Sequence, residues 1–235
     1  MTKVRIIKSA AICLILSCAL SMFAHAAIID VTNTNDSGPG SLRQALVDAN
    51  DGDTIDATGV SGVIILASGE LPADKSVTIN GAGADVLAVD GNATSSAFEI
   101  GPGETVTISG LAIRNGHGSF GGGILNGGAA VLTIVSSTLT GNTGGIGGAI
   151  FNPGTVSIIN NTVSDNSANE GGGVYSTGAN ITVSNSTFSG NTAAAGAASL
   201  TTLRCRSVIA RLAIIRLASA AAFSTPGHWK LEIRF

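Results

Sequence analysis

Few residues of this chain have the types and spacing that catalysis or metal binding requires. Asp48, Asp51, Asp53 and Asp56 form one acidic cluster, and Asn80-Gly-Ala-Gly-Ala-Asp85-Val-Leu87 approximates a single nonapeptide of the calcium-binding repeat type. Both point to the same chemistry, oxygen ligation of calcium, which needs about six to eight oxygens around one ion. The aspartates lack the spacing of an EF-hand loop, and the nonapeptide works through tandem copies. The expectation is a turn and a corner between strands, with no cofactor, calcium being the one ion these segments would suit. Asp165 and Glu170 each lack a partner at the equivalent place in the repeat described below, whereas polysaccharide cleavage needs converging carboxylates. His117, between Gly116 and Gly118, is the only histidine in residues 27–195 and reads as an exposed turn residue. That leaves no basis for a zinc cluster or a Ser-His-Asp arrangement. No catalytic or metal-binding residue is assigned.

The composition around these residues narrows the function classes. From Ile28 to Ala195 only Arg43, Lys75 and Arg114 are basic, against fourteen carboxylates, a net charge near −11. Such a surface repels nucleic acid and anionic polysaccharide. Cys13, Cys18 and Cys205 lie outside this stretch, so the body has no disulfide to stabilise it.

Residues 1–26 have the layout of a cleaved secretory signal. Lys3, Arg5 and Lys8 precede an apolar run from Ala10 to Phe23, and Ala24-His25-Ala26 supplies small residues at −3 and −1. The apolar run falls short of the roughly 20 residues of a membrane helix. Ile15-Leu16-Ser17 before Cys18 would suit a lipoprotein signal, but the chain stays apolar after Cys18. The expected location is extracellular or at a bacterial cell surface, with no transmembrane helix once the signal is removed.

What must position any site in residues 27–195 is a repeat. GGGILN from Gly121 and LTIVSSTLTGNT from Leu132 recur as GGAIFN from Gly147 with VSIINNTVSDNS from Val156. They recur again as GGGVYS from Gly171 with ITVSNSTFSGNT from Ile181, so the starts lie 26 and 24 residues apart. Each unit holds short strings that alternate apolar and polar, such as Leu132-x-Ile134, Val156-x-Ile158 and Ile181-x-Val183, which is a strand signal. The joining segments are Gly, Asn, Ser and Thr, which favour turns and oppose helix. The reading is an all-β, right-handed parallel β-helix with three short strands per coil.

That geometry assigns roles. Ile124, Ile150 and Val174 stack inside, as do Leu139, Val163 and Phe188, at an inter-coil spacing of about 4.8 Å. Asn142, Asn166 and Asn191 form an asparagine ladder along one corner. Gly121, Gly147 and Gly171 suit a corner that needs positive φ or close backbone approach. The aromatic residues show no common line along the coils, although Phe151 aligns with Tyr175. At the start, Ser37-Gly38-Pro39-Gly40 is a turn, and Ser41 with Gln44 makes a capping box. The helix it opens runs to about Ala49 with Leu42, Ala45 and Leu46 on one face, covering the unpaired end of the solenoid. Roughly seven coils would make a rod about 34 Å long.

Gly147-Gly-Ala-Ile150 and Phe188-Ser-Gly-Asn191 resemble the GGAI and FxxN motifs of polymorphic outer-membrane protein repeats. The opening from Val31 to Asp56 is similar to the amino-terminal segment of a broad group of bacterial β-helix repeat proteins. The resemblance implies a surface-exposed or secreted passenger, often carried by a separate anchor or β-barrel.

Residues 196–235 break the pattern. Arg204, Arg206, Arg211, Arg216, Lys230 and Arg234 face a single acid, Glu232. Val208, Leu212 and Ile215 fall near helical spacing, which would give a basic amphipathic helix. A frameshift is the favoured reading. Taking the third base of each codon with the first two of the next turns His228-Trp229-Lys230 into Leu-Glu whatever the codons, and permitted codon choices restore the repeat. A truncated solenoid is therefore expected. The expected function is a non-catalytic secreted or cell-surface scaffold, adhesin-like, whose partners are host or environmental surface glycans or proteins. The alternative is a carbohydrate-active enzyme, a lyase or hydrolase, or its remnant.

Overall fold

The computed structural model describes residues 26–177 and 180–195. The expected secretory signal, apart from Ala26, and the expected aberrant tail of residues 196–235 lie outside the described residues. A parallel β-solenoid of seven coils runs through the described residues. The first coil holds β1 (Ile28–Asp30) and the helix α1 (Leu42–Asp48). The second holds β2 (Thr54–Ala57), β3 (Gly62–Ile65) and β4 (Leu71–Ala73); the third holds β5 (Thr78–Gly81), β6 (Leu87–Asp90) and β7 (Phe98–Ile100). The fourth has β8 (Thr105–Ser109), β9 (Ala112–Arg114), β10 (His117–Phe120) and β11 (Ile124–Asn126). The fifth repeats this with β12 (Val131–Val135), β13 (Thr138–Thr140), β14 (Thr143–Ile146) and β15 (Ile150–Asn152). The sixth has β16 (Thr155–Ile159), β17 (Thr162–Ser164), β18 (Ser167–Glu170) and β19 (Val174–Ser176). The seventh shows β20 (Ile181–Ser184), β21 (Thr187–Ser189) and β22 (Thr192–Ala195).

Stacking these coils makes four parallel sheets, where the repeat predicted three strands per coil. Three is correct for the second and third coils. From the fourth coil on, an additional sheet forms in the order β10-β14-β18-β22. Its strands include Thr143–Ile146, Thr-Gly-Gly-Ile, which the sequence presents as turn material. Main-chain pairing with the next coil extends this segment, His117 opposite Thr143 and Thr143 opposite Ser167. No alternation of buried apolar side chains announces such a strand, because two of its four residues are glycine and its side chains are exposed or half-buried.

The core lies between the other three sheets, in rows one residue wide. Ile55, Ile79, Ile108, Ile134, Ile158 and Val183 stand in register down the seven-stranded sheet and are all buried. Leu71, Phe98, Ile124, Ile150 and Val174 form the second row; Ile64, Val89, Ile113, Leu139, Val163 and Phe188 form the third. Each fully buried aliphatic side chain contributes about 1.5–3 kcal/mol. The repetition, rather than any one contact, holds the rod together.

α1 closes the first end. Leu42, Ala45 and Leu46 are buried, and the helix contacts β4 and β2. β4 is the terminal strand of the five-stranded sheet, so the helix covers an edge that would otherwise template pairing.

Candidate functional site

The residues that recur in register mostly hold coil to coil. Asn142 and Asn166 are fully buried. Asn142 Nδ2 donates to Asn166 Oδ1 at 2.9 Å and to the Ile113 carbonyl at 3.1 Å. Asn166 Nδ2 donates to Asn191 Oδ1 at 2.8 Å and to the Leu139 carbonyl at 3.0 Å, and Asn191 Nδ2 donates to the Val163 carbonyl at 2.8 Å. Gly121, Gly147 and Gly171 take positive φ of 64°, 75° and 64°. A Cβ on Gly147 would collide with the carbonyl oxygen of Ile150.

Two further polar rows escaped the sequence reading. Asn126 Nδ2 donates to Asn152 Oδ1 at 2.6 Å, and Asn152 Nδ2 to Ser176 Oγ at 3.1 Å, all three residues being buried. Ser137 N donates to Asn161 Oδ1 at 2.7 Å, and Asn161 N to Ser186 Oγ at 3.0 Å. The signal was available, since these positions share the 24–26 residue spacing of the first ladder. A mixture of Asn and Ser in one row hides it from motif reading.

The capping residues behave unequally. Ser41 Oγ accepts from the Gln44 main-chain N–H at 3.1 Å, as an N-cap should. The reciprocal half of the expected box is absent, because Gln44 Nε2 donates to Asp48 Oδ1 at 2.8 Å instead. Side-chain pairing one turn along the helix wins over reaching back to the cap.

The acidic cluster serves turns. Asp53 is buried and accepts from the main-chain N–H of Ala27 at 2.7 Å and of Asn50 at 2.8 Å. Asp51 accepts from Ser76 N at 3.0 Å and Asp56 from Thr58 N at 2.8 Å. The Asn50 and Ala27 amides hold the Asp53 carboxyl below the usual aspartate value, and the Thr58 hydroxyl and amide do the same for Asp56. Among the described residues no three His, Cys, Asp or Glu side chains gather as a metal site would require. Asp165 occupies a corner at φ 55°, in line with Asn115, Gly141 and Gly190, also at positive φ. That backbone demand explains the residue types in the row.

One groove does bring chemistry together. The third coil crosses from β6 to β7 through residues 91–97 without a strand, whereas the fourth inserts β10 at this place. Where the extra sheet begins, the step leaves a groove of about 750 Å³. It runs past Glu70 and Glu99, Ser95, His117, Phe120 and Asn169, from the second coil to the sixth. His117 is exposed as expected, but it belongs to strand β10 and not to a turn. Glu70 is fixed from behind by Arg43. The guanidinium donates to the Glu70 carbonyl from Nη1 and to the Gly69 carbonyl from Nη2, both at 2.6 Å, and pairs with Asp36 at 2.9 Å.

Beside this groove Phe151 and Tyr175 align along the coils as expected, and Phe120, off that line, packs against Phe151. Phe120 and Phe151 have ring centroids 5.0 Å apart, tilted by 47°. Phe151 and Tyr175 lie 6.0 Å apart and nearly parallel, at 13°. Phe151 and Tyr175 pair in register, but Phe120 reaches Phe151 from the neighbouring sheet, so no linear alignment reveals the row. The nearby Glu170 charge pushes the Tyr175 hydroxyl above its usual value. Phe120 ends the row, lines the groove and is 48% exposed.

Comparison of the chain with protein families, with curated proteins and with solved structures finds no match. Among the described residues, no helix is long and apolar enough to cross a membrane.

Proposed function

We propose that this chain is a non-catalytic β-helix scaffold, exported to the bacterial surface or medium, which binds surface glycans or proteins along its outer face in the manner of an adhesin. The resemblance of Gly147–Ile150 and Phe188–Asn191 to polymorphic outer-membrane protein repeats supports this reading, as does the secretory layout of residues 1–26. The observation that carries it is the division of labour in the coil. Residues repeated in register are spent on stacking, the buried Asn142–Asn166–Asn191 ladder above all. The non-repeated residues, Glu70, Glu99, His117 and Phe120, gather on the outside. A rigid rod with an irregular outer strip is a presentation surface.

The test is incubation of the full chain with a panel of polysaccharides, measuring both retention and new reducing or unsaturated ends. Binding without turnover is expected. Secretion by a bacterial host with a new amino terminus at Ala27, read by mass spectrometry, is the companion result.

A second reading is favoured by one feature. Glu70, Glu99 and His117 line the same groove, so carboxylates and an imidazole face a common space. A carbohydrate-active enzyme would use such groups as acid and base. New chain ends that vanish in Glu70→Gln or Glu99→Gln would establish that reading and remove the first.

A further inference from the structure

Some carboxylates of this solenoid have protein partners; others, Asp30, Asp74, Asp85 and Asp165 among them, have none among the hydrogen bonds and ion pairs of the described residues. Asp36 and Asp90 are held in ion pairs by Arg43 and Arg114, and these are the ion pairs among the described residues. Asp48, Asp51, Asp53, Asp56 and Glu104 accept hydrogen bonds from Gln44, Ser76, Ala27 with Asn50, Thr58 and Ser76 respectively. Glu70 and Glu99 line the groove, and neither carboxylate is among the hydrogen bonds or ion pairs of the described residues. Ser95 lines it too, and its Oγ is buried without a hydrogen-bond partner. No lysine or arginine is among the lining residues.

A groove lined by two carboxylates without a protein partner, one imidazole and a half-exposed phenyl ring attracts cations. We propose that it binds a primary ammonium group, carried on an amino-sugar unit or on a short alkyl chain. The cation is attracted to the exposed part of the Phe120 ring, whose π face carries the negative end of the quadrupole. Glu70 and Glu99 supply acceptors and charge for the N–H groups. The net charge near −11 over residues 28–195 concentrates cations at the surface and repels uronic acids. The volume lies within the roughly 300–1,000 Å³ of sites for small ligands. Arg43 acts as a positioning residue, since its two bonds to the Gly69 and Glu70 carbonyls fix the segment that carries Glu70.

This inference rests on the reading of the outer strip as a binding surface, and it names the ligand chemistry of one part of it. The experiment is calorimetric titration of the full chain with glucosamine trimer, its fully N-acetylated counterpart and 1,5-diaminopentane. Both amines are expected to bind, with affinity falling as salt is raised, and the acetylated sugar is expected to bind at least about tenfold more weakly. Glu70→Gln with Glu99→Gln should reduce amine affinity about tenfold or more, and Phe120→Leu about threefold. Asp85→Asn, an exposed carboxylate away from the groove, should leave it unchanged, with unfolding temperatures showing that every variant is folded. Binding of glucosamine trimer alone would assign the source to the sugar; binding of the diamine alone would assign it to an alkyl ammonium. Equal binding of the acetylated trimer, no amine binding, or full binding by the double glutamine variant would each overturn the proposal. Surface retention that survives those variants would leave the scaffold reading standing and remove only this one. Cleavage of a bound amino-sugar polymer would do the reverse.

Discussion

Asn142 donates twice to the same oxygen of Asn166, from Nδ2 at 2.9 Å and from its own main-chain N–H at 3.0 Å. One buried side-chain oxygen thus replaces the main-chain partner that a corner takes away. The relation repeats one coil later, where Asn166 donates to Asn191 Oδ1 from N at 3.1 Å and from Nδ2 at 2.8 Å.

Asn166→Ala therefore removes the acceptor of the buried Asn142 main-chain N–H and of one of its two Nδ2 bonds, leaving Nδ2 only the Ile113 carbonyl. Each unsatisfied buried group costs about 1–3 kcal/mol, so a loss of about 2–6 kcal/mol is expected in urea unfolding. Asn191→Ala should cost clearly less, because Asn191 is only partly buried. Equal losses at the two positions would show that the ladder is not the source of the effect.

Gly147 and Asp165 test the corners in opposite directions. Gly147→Ala places a Cβ at φ 75° against the Ile150 carbonyl, and should destabilise by about 2 kcal/mol or more. Asp165→Gly relieves a side chain at φ 55° at the cost of unfolded-state entropy, and should change stability by less than about 1 kcal/mol. Thermal unfolding of the two variants beside the parent chain separates them. Similar losses for both would refute the assignment of Asp165 to a permissive corner.

The solenoid, its inner rows and the Asn142 ladder were legible because each depends on residues repeating at one spacing. Leu139, Val163 and Phe188 differ in type yet keep the same place, and burial requires only that they be apolar. The additional sheet was not legible, because Thr143–Ile146 is held by main-chain pairing that leaves no mark on side-chain pattern. The groove was illegible for the opposite reason. Glu70, Glu99 and Phe120 come from three coils, at positions the repeat does not share, and only the step where β10 is inserted brings them together.

Acid should unfold this protein through its aspartates. Asp53 and Asp56 are held low by hydrogen bonds; for Asp36, burial pushes upward, but the Ser68 hydrogen bond and Arg43 outweigh it. A folded-state value below the ordinary 3.8 stabilises the fold fully above 3.8, and the contribution is lost as pH falls through the lowered value. The unfolding temperature should stay level above about pH 5 and drop below about pH 4. Asp53→Asn should flatten that drop. Tyr175 works at the other end. Its value is raised by Glu170, so its contribution is present below 10 and lost as pH climbs through the raised value.

Arg43 ties the helix to the groove, and the geometry fixes what can replace it. Its Nη1 and Nη2 reach the Glu70 and Gly69 carbonyls, while Nε and Nη2 reach the Asp36 carbonyl and carboxylate, at 3.2 Å and 2.9 Å. A planar fork can meet these four acceptors together, and a lysine ammonium, with three donors radiating from a point, cannot. Both side chains of the pair are mostly buried, at 16% and 15% exposure, so removal leaves Asp36 and two carbonyls poorly solvated. Arg43→Ala should cost about 2–4 kcal/mol, and Arg43→Lys should recover less than half of it. Amide hydrogen exchange should then quicken around residues 66–71 in both variants before it changes in β12 or β16. Full recovery by lysine would mean that charge alone holds the segment, and the positioning role assigned to the guanidinium would fall.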